Sequence, residues 1–132
     1  MKYLLDTNIV SAWAKRNTPG LLRKMLNLSP DQLAVSALVQ HELLFGLALS
    51  PQIRSAAPTR DFLRSVSVLP FDAACAERAA ALRANLSRRG QPIGPYDLLI
   101  AATALEHDLT MVTNNLREFT KVEGLRVEDW LV

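Results

Sequence analysis

A chain of 132 residues that is 49% hydrophobic and 21% charged is long enough for one cored domain and too apolar to be disordered. With 15 Lys+Arg against 13 Asp+Glu, its net charge of +2 dictates no one-signed surface. The single cysteine, Cys75, excludes an internal disulfide framework and a cysteine zinc cluster, and fits a reducing cytoplasmic setting.

The first run, Lys2-Tyr3-Leu4-Leu5, reads as a buried strand ending at Asp6. That charge comes too early for a signal peptide, and no apolar run in the chain approaches the roughly 20 residues of a membrane span. Ile9 to Lys15 then reads as a helix, with Thr7 or Asn8 as its cap. Pro19-Gly20 breaks the chain, and Leu21, Leu22, Met25, Leu26 and Leu28 recur at helical spacing. After a turn at Ser29-Pro30-Asp31, Gln32 to Val35 is a second strand, and Ser36 caps a helix running to about Leu49.

On that helix Leu38, Glu42, Phe45 and Leu49 share one face, so Glu42 stands within an apolar stripe. Ser50-Pro51 opens a further helical segment with Arg54, Arg60 and Arg64 on its wet face. Val66 to Leu69 is a third strand, and Asp72 caps a helix through about Arg88, on which Cys75 is a small buried residue. Pro95, preceded by Gly94, suits the first position of the next helix. This helix is apolar nearly all round and therefore buried, yet it carries Asp97 in its first turn. Thr110 to Thr113 is a fourth strand, with Asn114-Asn115 directly after it. Leu125 to Val127 is a fifth, and Trp130 anchors the tail.

Strands alternating with helices predict an α/β fold, three layers deep, with a mainly parallel central sheet of four to five strands in a single domain spanning 1–132. In such sheets ligands bind beyond the carboxyl ends of the strands. Asp6, Asp97, Glu42 and Glu118 arrive there from widely separated segments, at strand ends, helix starts or on an apolar face. Clustered carboxylates repel one another, and a hard divalent cation relieves that repulsion. Mg²⁺ binds through a few carboxylates, keeps several waters and takes substrate phosphates as further ligands. Four acids committed to one internal site would leave the remaining surface basic, which suits a polyanionic substrate. No GxxxxGK[ST] or GxGxxG is present, so nucleoside triphosphate and dinucleotide binding lack their signatures.

These residues carry a resemblance. Leu4-Leu5-Asp6-Thr7-Asn8, Glu42, Pro92-Ile93-Gly94-Pro95-Tyr96-Asp97 with Ile100-Ala101-Ala102, Val112-Thr113-Asn114-Asn115 with Glu118-Phe119, and Gly124-Leu125 leading to Glu128-Asp129-Trp130 follow one another in the order of a PIN-domain ribonuclease. The chain resembles, over nearly its whole length, the VapC-type toxins of bacterial toxin–antitoxin pairs. The resemblance implies Asp6, Glu42 and Asp97 as the acidic metal site, with Thr7, Asn8 and Thr113 as polar neighbours. It implies Mg²⁺, or Mn²⁺ in its place, activating a water against an RNA phosphodiester, with tRNA cut in the anticodon loop as a common substrate. It also implies a homodimer and a VapB-type antitoxin partner.

Many relatives place an acid at the position of Asn115 or just before the Phe, so Glu118 is the better fourth acid and Asn115 the alternative. A PIN module that binds RNA or protein without cleaving it remains open. So does a receiver-type domain phosphorylated on Asp6, although its acidic pair is missing here. A haloacid-dehalogenase-type phosphatase would need a second Asp where Asn8 stands.

Overall fold

The computed structural model describes every residue from Met1 to Val132. The short apolar runs form β1 (Tyr3–Leu5), β2 (Leu33–Ser36), β3 (Ser67–Leu69), β4 (Thr110–Val112) and β5 (Val127–Glu128). They build one sheet in the order β3-β2-β1-β4-β5, and every neighbouring pair is parallel. All residues of β1, β2 and β4 are buried. Because successive strand residues point to opposite faces, both faces of the sheet are covered.

The cover comes from α1 (Thr7–Lys15), α2 (Pro19–Leu26), α3 (Ala37–Leu49), α4 (Ala56–Ser65), α5 (Ala73–Arg88), α6 (Pro95–Glu106) and the single turn α7 (Leu116–Phe119). Helix α1 packs against α2, α3 and α4, α5 packs against α6, and α3 reaches across to α6. The last contact joins the helix of Glu42 to that of Asp97. Trp130 is buried edge-on against Tyr3, at 4.8 Å between ring centroids, and pins the tail to β1.

From β1 the chain leads outward to β2 and β3 on one side, and β4 returns on the other. The order therefore reverses between β1 and β4, which is the switch point where parallel α/β sheets open a crevice. A receiver domain has the order 2-1-3-4-5, so this topology removes that alternative.

Several local expectations hold for the reasons given. The Ser36 hydroxyl accepts from Val39 N at 3.1 Å, Asp72 accepts from Cys75 N at 3.0 Å, and Pro95 opens α6. Others need correction. The cap of α1 is Asp6, in extended backbone with its side chain accepting from Thr7 N, so the helix begins at Thr7. Helix α4 begins at Ala56 after a turn, and Pro58 does not interrupt it because a first-turn proline gives up no intrahelical hydrogen bond. Strand β5 begins only at Val127.

The face of α3 also differs from expectation. Val39, Leu43 and Leu47 are buried, while Phe45 and Leu49 are 58% and 69% exposed. The polar residues of α3, Gln40, His41 and Glu42, are consecutive and point to different sides, so no polar face marks which side turns inward and spacing alone does not select one. Arg54, Arg60 and Arg64 are exposed, as their wet-face reading requires. Arg89 has a structural job: it donates to Lys121 O at 2.6 Å and to Glu123 Oε1 at 2.9 Å, tying the end of α5 to the C-terminal segment.

Candidate active site

The site is assembled where β1 and β4 end. Asp6 N donates to Val112 O at 2.9 Å, extending the β1–β4 ladder by one bond before the chain turns into α1. The Asp6 carboxylate is 7% exposed. Its Oδ1 accepts from Thr7 N at 2.9 Å and its Oδ2 from the Thr113 hydroxyl at 2.8 Å. Burial pushes the Asp6 carboxyl above the ordinary range, and these two hydrogen bonds work against that push.

Thr113 occupies the matching position after β4 and is fully buried. Its Oγ1 also accepts from Asn115 N at 2.9 Å, and the Asn115 side-chain amide donates to Asp97 Oδ2 at 3.1 Å. One continuous relay thus runs from Asp6 through Thr113 and Asn115 to Asp97. It fixes the separation of two carboxylates that come from opposite ends of the sequence.

Asp97 projects from the first turn of α6. Its carboxyl is raised to about 6, first by burial and then by the charges of Asp6, Glu118 and Glu42. Glu42, half-buried on α3, is raised by burial and by Asp6, with His41 and the Thr7 hydroxyl pulling the other way. All three acids are therefore raised, and both Glu42 and Asp97 feel the charge of Asp6.

Asp6, Glu42, Asp97 and Asn115, with Thr7 and Asn8 from the start of α1, line a cavity of about 420 Å³. Thr113 lies beneath it, holding Asp6. Glu118 does not line it. Its Oε2 is buried without a hydrogen-bond partner, 3.6 Å from Lys121 Nζ, and its charge reaches Asp97 from behind. Two lining residues had no assigned role in the sequence, Tyr96 and Asn114. The signal for both was adjacency, since each follows or precedes a site residue by one position. Asn114 Oδ1 accepts from the Asn8 amide at 3.1 Å across the rim.

The donor set is hard oxygen throughout, which matches Mg²⁺ or Mn²⁺ rather than a thiophilic metal. No three His, Cys, Asp or Glu side chains converge closely enough to hold an ion by themselves. Mg²⁺ does not need them to, because it binds through one or two carboxylates and keeps its remaining waters. Thr7 Oγ1, which lines the cavity and is buried without a hydrogen-bond partner, leaves a further oxygen for such a hydrated ion. The residues present fit the group.

A second cavity, of about 590 Å³, is apolar and separate from the acids. Trp13 from α1, Met25 and Leu26 from α2 and Phe62 from α4 line it.

The family model for the PIN domain matches residues 3–125. The chain belongs to the PIN-domain family. Within it, this PIN domain is 40% identical over 132 residues to the tRNA(fMet)-specific endonuclease VapC of Shigella flexneri, covering 98% of each chain. It is 38% identical over 133 residues to ribonuclease VapC2 of Haemophilus influenzae, covering 99% of each. Among solved structures, DNA-bound VapBC from Salmonella typhimurium matches it with a TM-score of 0.87 at 37% identity, over 98% of each chain. Relatives at this identity, over this share of both chains, place it among the VapC ribonucleases.

Proposed function

We propose that this PIN domain, acting as one domain over residues 1–132, is a metal-dependent RNA endonuclease toxin restrained by a VapB-type antitoxin. The observation that carries the reading is the relay Asp6–Thr113–Asn115–Asp97, which sets two carboxylates beside Glu42 in an open polar cavity at the sheet's switch point.

Asp6, Glu42 and Asp97 are the groups that would hold Mg²⁺, with Mn²⁺ able to replace it. Bound there, the ion lowers the pKa of a water and stabilises charge on the phosphoryl oxygens. The chain's own part is placement. Thr7 N and Thr113 lock the rotamer of Asp6, and Asn115 turns Asp97 toward the cavity. The Asn8–Asn114 pair offers amide donors at the rim, where phosphate oxygens would pass.

The cavity is wide and open, which suits a splayed RNA loop better than a stacked duplex. A VapC relative named for tRNA(fMet) supports tRNA, cut in the anticodon loop, as the substrate. No helix is long and apolar enough to cross a membrane, which agrees with action in the cytoplasm, where tRNA is. The apolar groove of α1, α2 and α4, with Leu26 77% exposed on it, suits an antitoxin segment. The exposed Phe45 and Leu49 of α3 suit a second copy of the chain.

The deciding experiment is cleavage of total bacterial tRNA by antitoxin-free protein, with Mg²⁺ and with EDTA. Discrete fragments are expected with Mg²⁺ only. Intact RNA in both lanes, from folded protein, would leave the non-cleaving PIN module as the better reading.

Glu118 and Asn115 have separable jobs on this reading. Asn115→Ala and Glu118→Gln each lower cleavage by about 10–100-fold, the range for residues that orient or polarise metal ligands. They differ in the metal-free titration of Asp97 followed by NMR. Removing the Glu118 charge lowers the midpoint from about 6, whereas removing the Asn115 donor does not lower it. The same downward shift in both variants would refute the division.

A further inference from the structure

Tyr96 is 47% exposed and is the one hydrophobic residue lining the acidic cavity. It takes no part in the hydrophobic core. Its ring stacks against that of His41, with centroids 6.3 Å apart and planes 30° from parallel. Each ring stands one residue ahead of a site acid, Tyr96 before Asp97 on α6 and His41 before Glu42 on α3. The contact between α3 and α6 that joins the two carboxylates therefore also joins the two rings.

We propose that Tyr96, backed by His41, is the stacking platform for the unpaired RNA base next to the cleaved phosphodiester. This deepens the nuclease reading above and rests on it. A phosphate at the carboxylates leaves its neighbouring base a short distance away, at the cavity mouth where Tyr96 lies. An aromatic face accepts any base, so the platform reads single-strandedness and not sequence. A base inside a duplex reaches it only by leaving its own stack, at a cost a loop base does not bear. The ring thus makes a metal phosphodiesterase cavity selective for RNA loops.

The test uses the full chain and an anticodon stem-loop RNA of initiator tRNA. Tyr96→Ala lowers kcat/KM by roughly 5- to 150-fold, the range for loss of one base–aromatic stack, mainly through KM. Tyr96→Phe and Tyr96→Trp restore cleavage because each returns a flat ring. Mn²⁺ affinity of folded Tyr96→Ala matches wild type, which separates stacking from displacement of Asp97.

An abasic nucleotide beside the cut lowers wild-type cleavage by the same factor and adds no further loss to Tyr96→Ala. A Tyr96→Ala rate equal to wild type, an undiminished Tyr96→Ala loss on abasic RNA, or weakened Mn²⁺ binding would each overturn the platform. Binding of the stem-loop by Asp97→Asn protein, with and without Tyr96→Ala, reads the stack without cleavage. Wild-type protein that cuts no RNA therefore defeats the nuclease reading alone, while equal binding by the two Asp97→Asn proteins defeats the platform alone.

Discussion

An Asp97→Asn protein cuts RNA at least about 10³-fold more slowly than wild type, yet without divalent ions it is the more stable of the two at pH 8. The rate loss follows from removing one charged ligand of an ion that supplies several kcal/mol of transition-state stabilisation. The stability gain follows from the carboxyl's position in the fold. Asp97 is raised from the ordinary 3.8 to about 6, so the folded protein disfavours its ionised form. That penalty is absent below pH 3.8, grows as pH rises toward 6, and is full above it.

The site is open, so solvent screening reduces the penalty to about 1 kcal/mol. For a chain of this size that is a rise of a few degrees in Tm. The side-chain oxygen of an Asn at this position can still accept from the Asn115 amide, so the relay survives. Adding Mg²⁺ reverses the order: wild type gains about 2.7 kcal/mol at a concentration 100 times Kd, and the variant gains little. Thermal unfolding at pH 4 and pH 8, with and without Mg²⁺, checks all of this. A variant less stable than wild type at pH 8 without metal would make Asp97 a helix-dipole residue of α6 and not a site acid.

Asp6→Ala is equally inactive but falls apart in the other direction. Asp6 is buried, caps α1 through Thr7 N and accepts the Thr113 hydroxyl. Truncation leaves both donors without a partner inside the protein, at about 1–3 kcal/mol each where water does not reach them. The Thr7 N share of this is the lost N-cap, usually worth about 1 kcal/mol, and removing a carboxylate whose charge burial disfavours offsets part of the total. Urea unfolding should show a loss of about 2–4 kcal/mol, a large part of the stability of an ordinary domain. Asp6→Asn retains one acceptor and should lose less, while remaining unable to cleave. Full stability in Asp6→Ala would mean that the bond to Thr113 contributes nothing. The two acids thus share a chemistry and have opposite energetic roles.

Much of this was legible in the sequence because it is local. The caps at Ser36 and Asp72, Pro95 at the head of α6 and the buried runs of β1 and β4 depend on neighbouring residues only. Asp6 was legible as an acid at a strand end or as a helix cap, but not as both together, because those two readings compete in the sequence while one carboxylate does both jobs in the fold. The inward face of α3 was hidden because apolar residues occur all round it and its three polar residues are consecutive, and Phe45 and Leu49 point outward. The bond from Thr113 to Asp6 spans 107 residues and exists only because β1 pairs with β4 in one register. The different placements of Asn115 and Glu118 follow from a single helical turn after β4, which spacing does not resolve.

That strand order also sets when a newly made chain becomes dangerous. β1 is the central strand, between β2 and β4, so one of its edges stays unpaired until residues 110–112 have been made. At about 5–20 residues per second, roughly 4–15 s of synthesis separate the end of β2 from the start of β4. Throughout that interval Asp6 lacks Thr113, and Asp97 lacks Asn115. A ribosome translating this message is therefore not exposed to its own product until most of the chain has been made. An inhibitor translated ahead of it can already be folded and waiting.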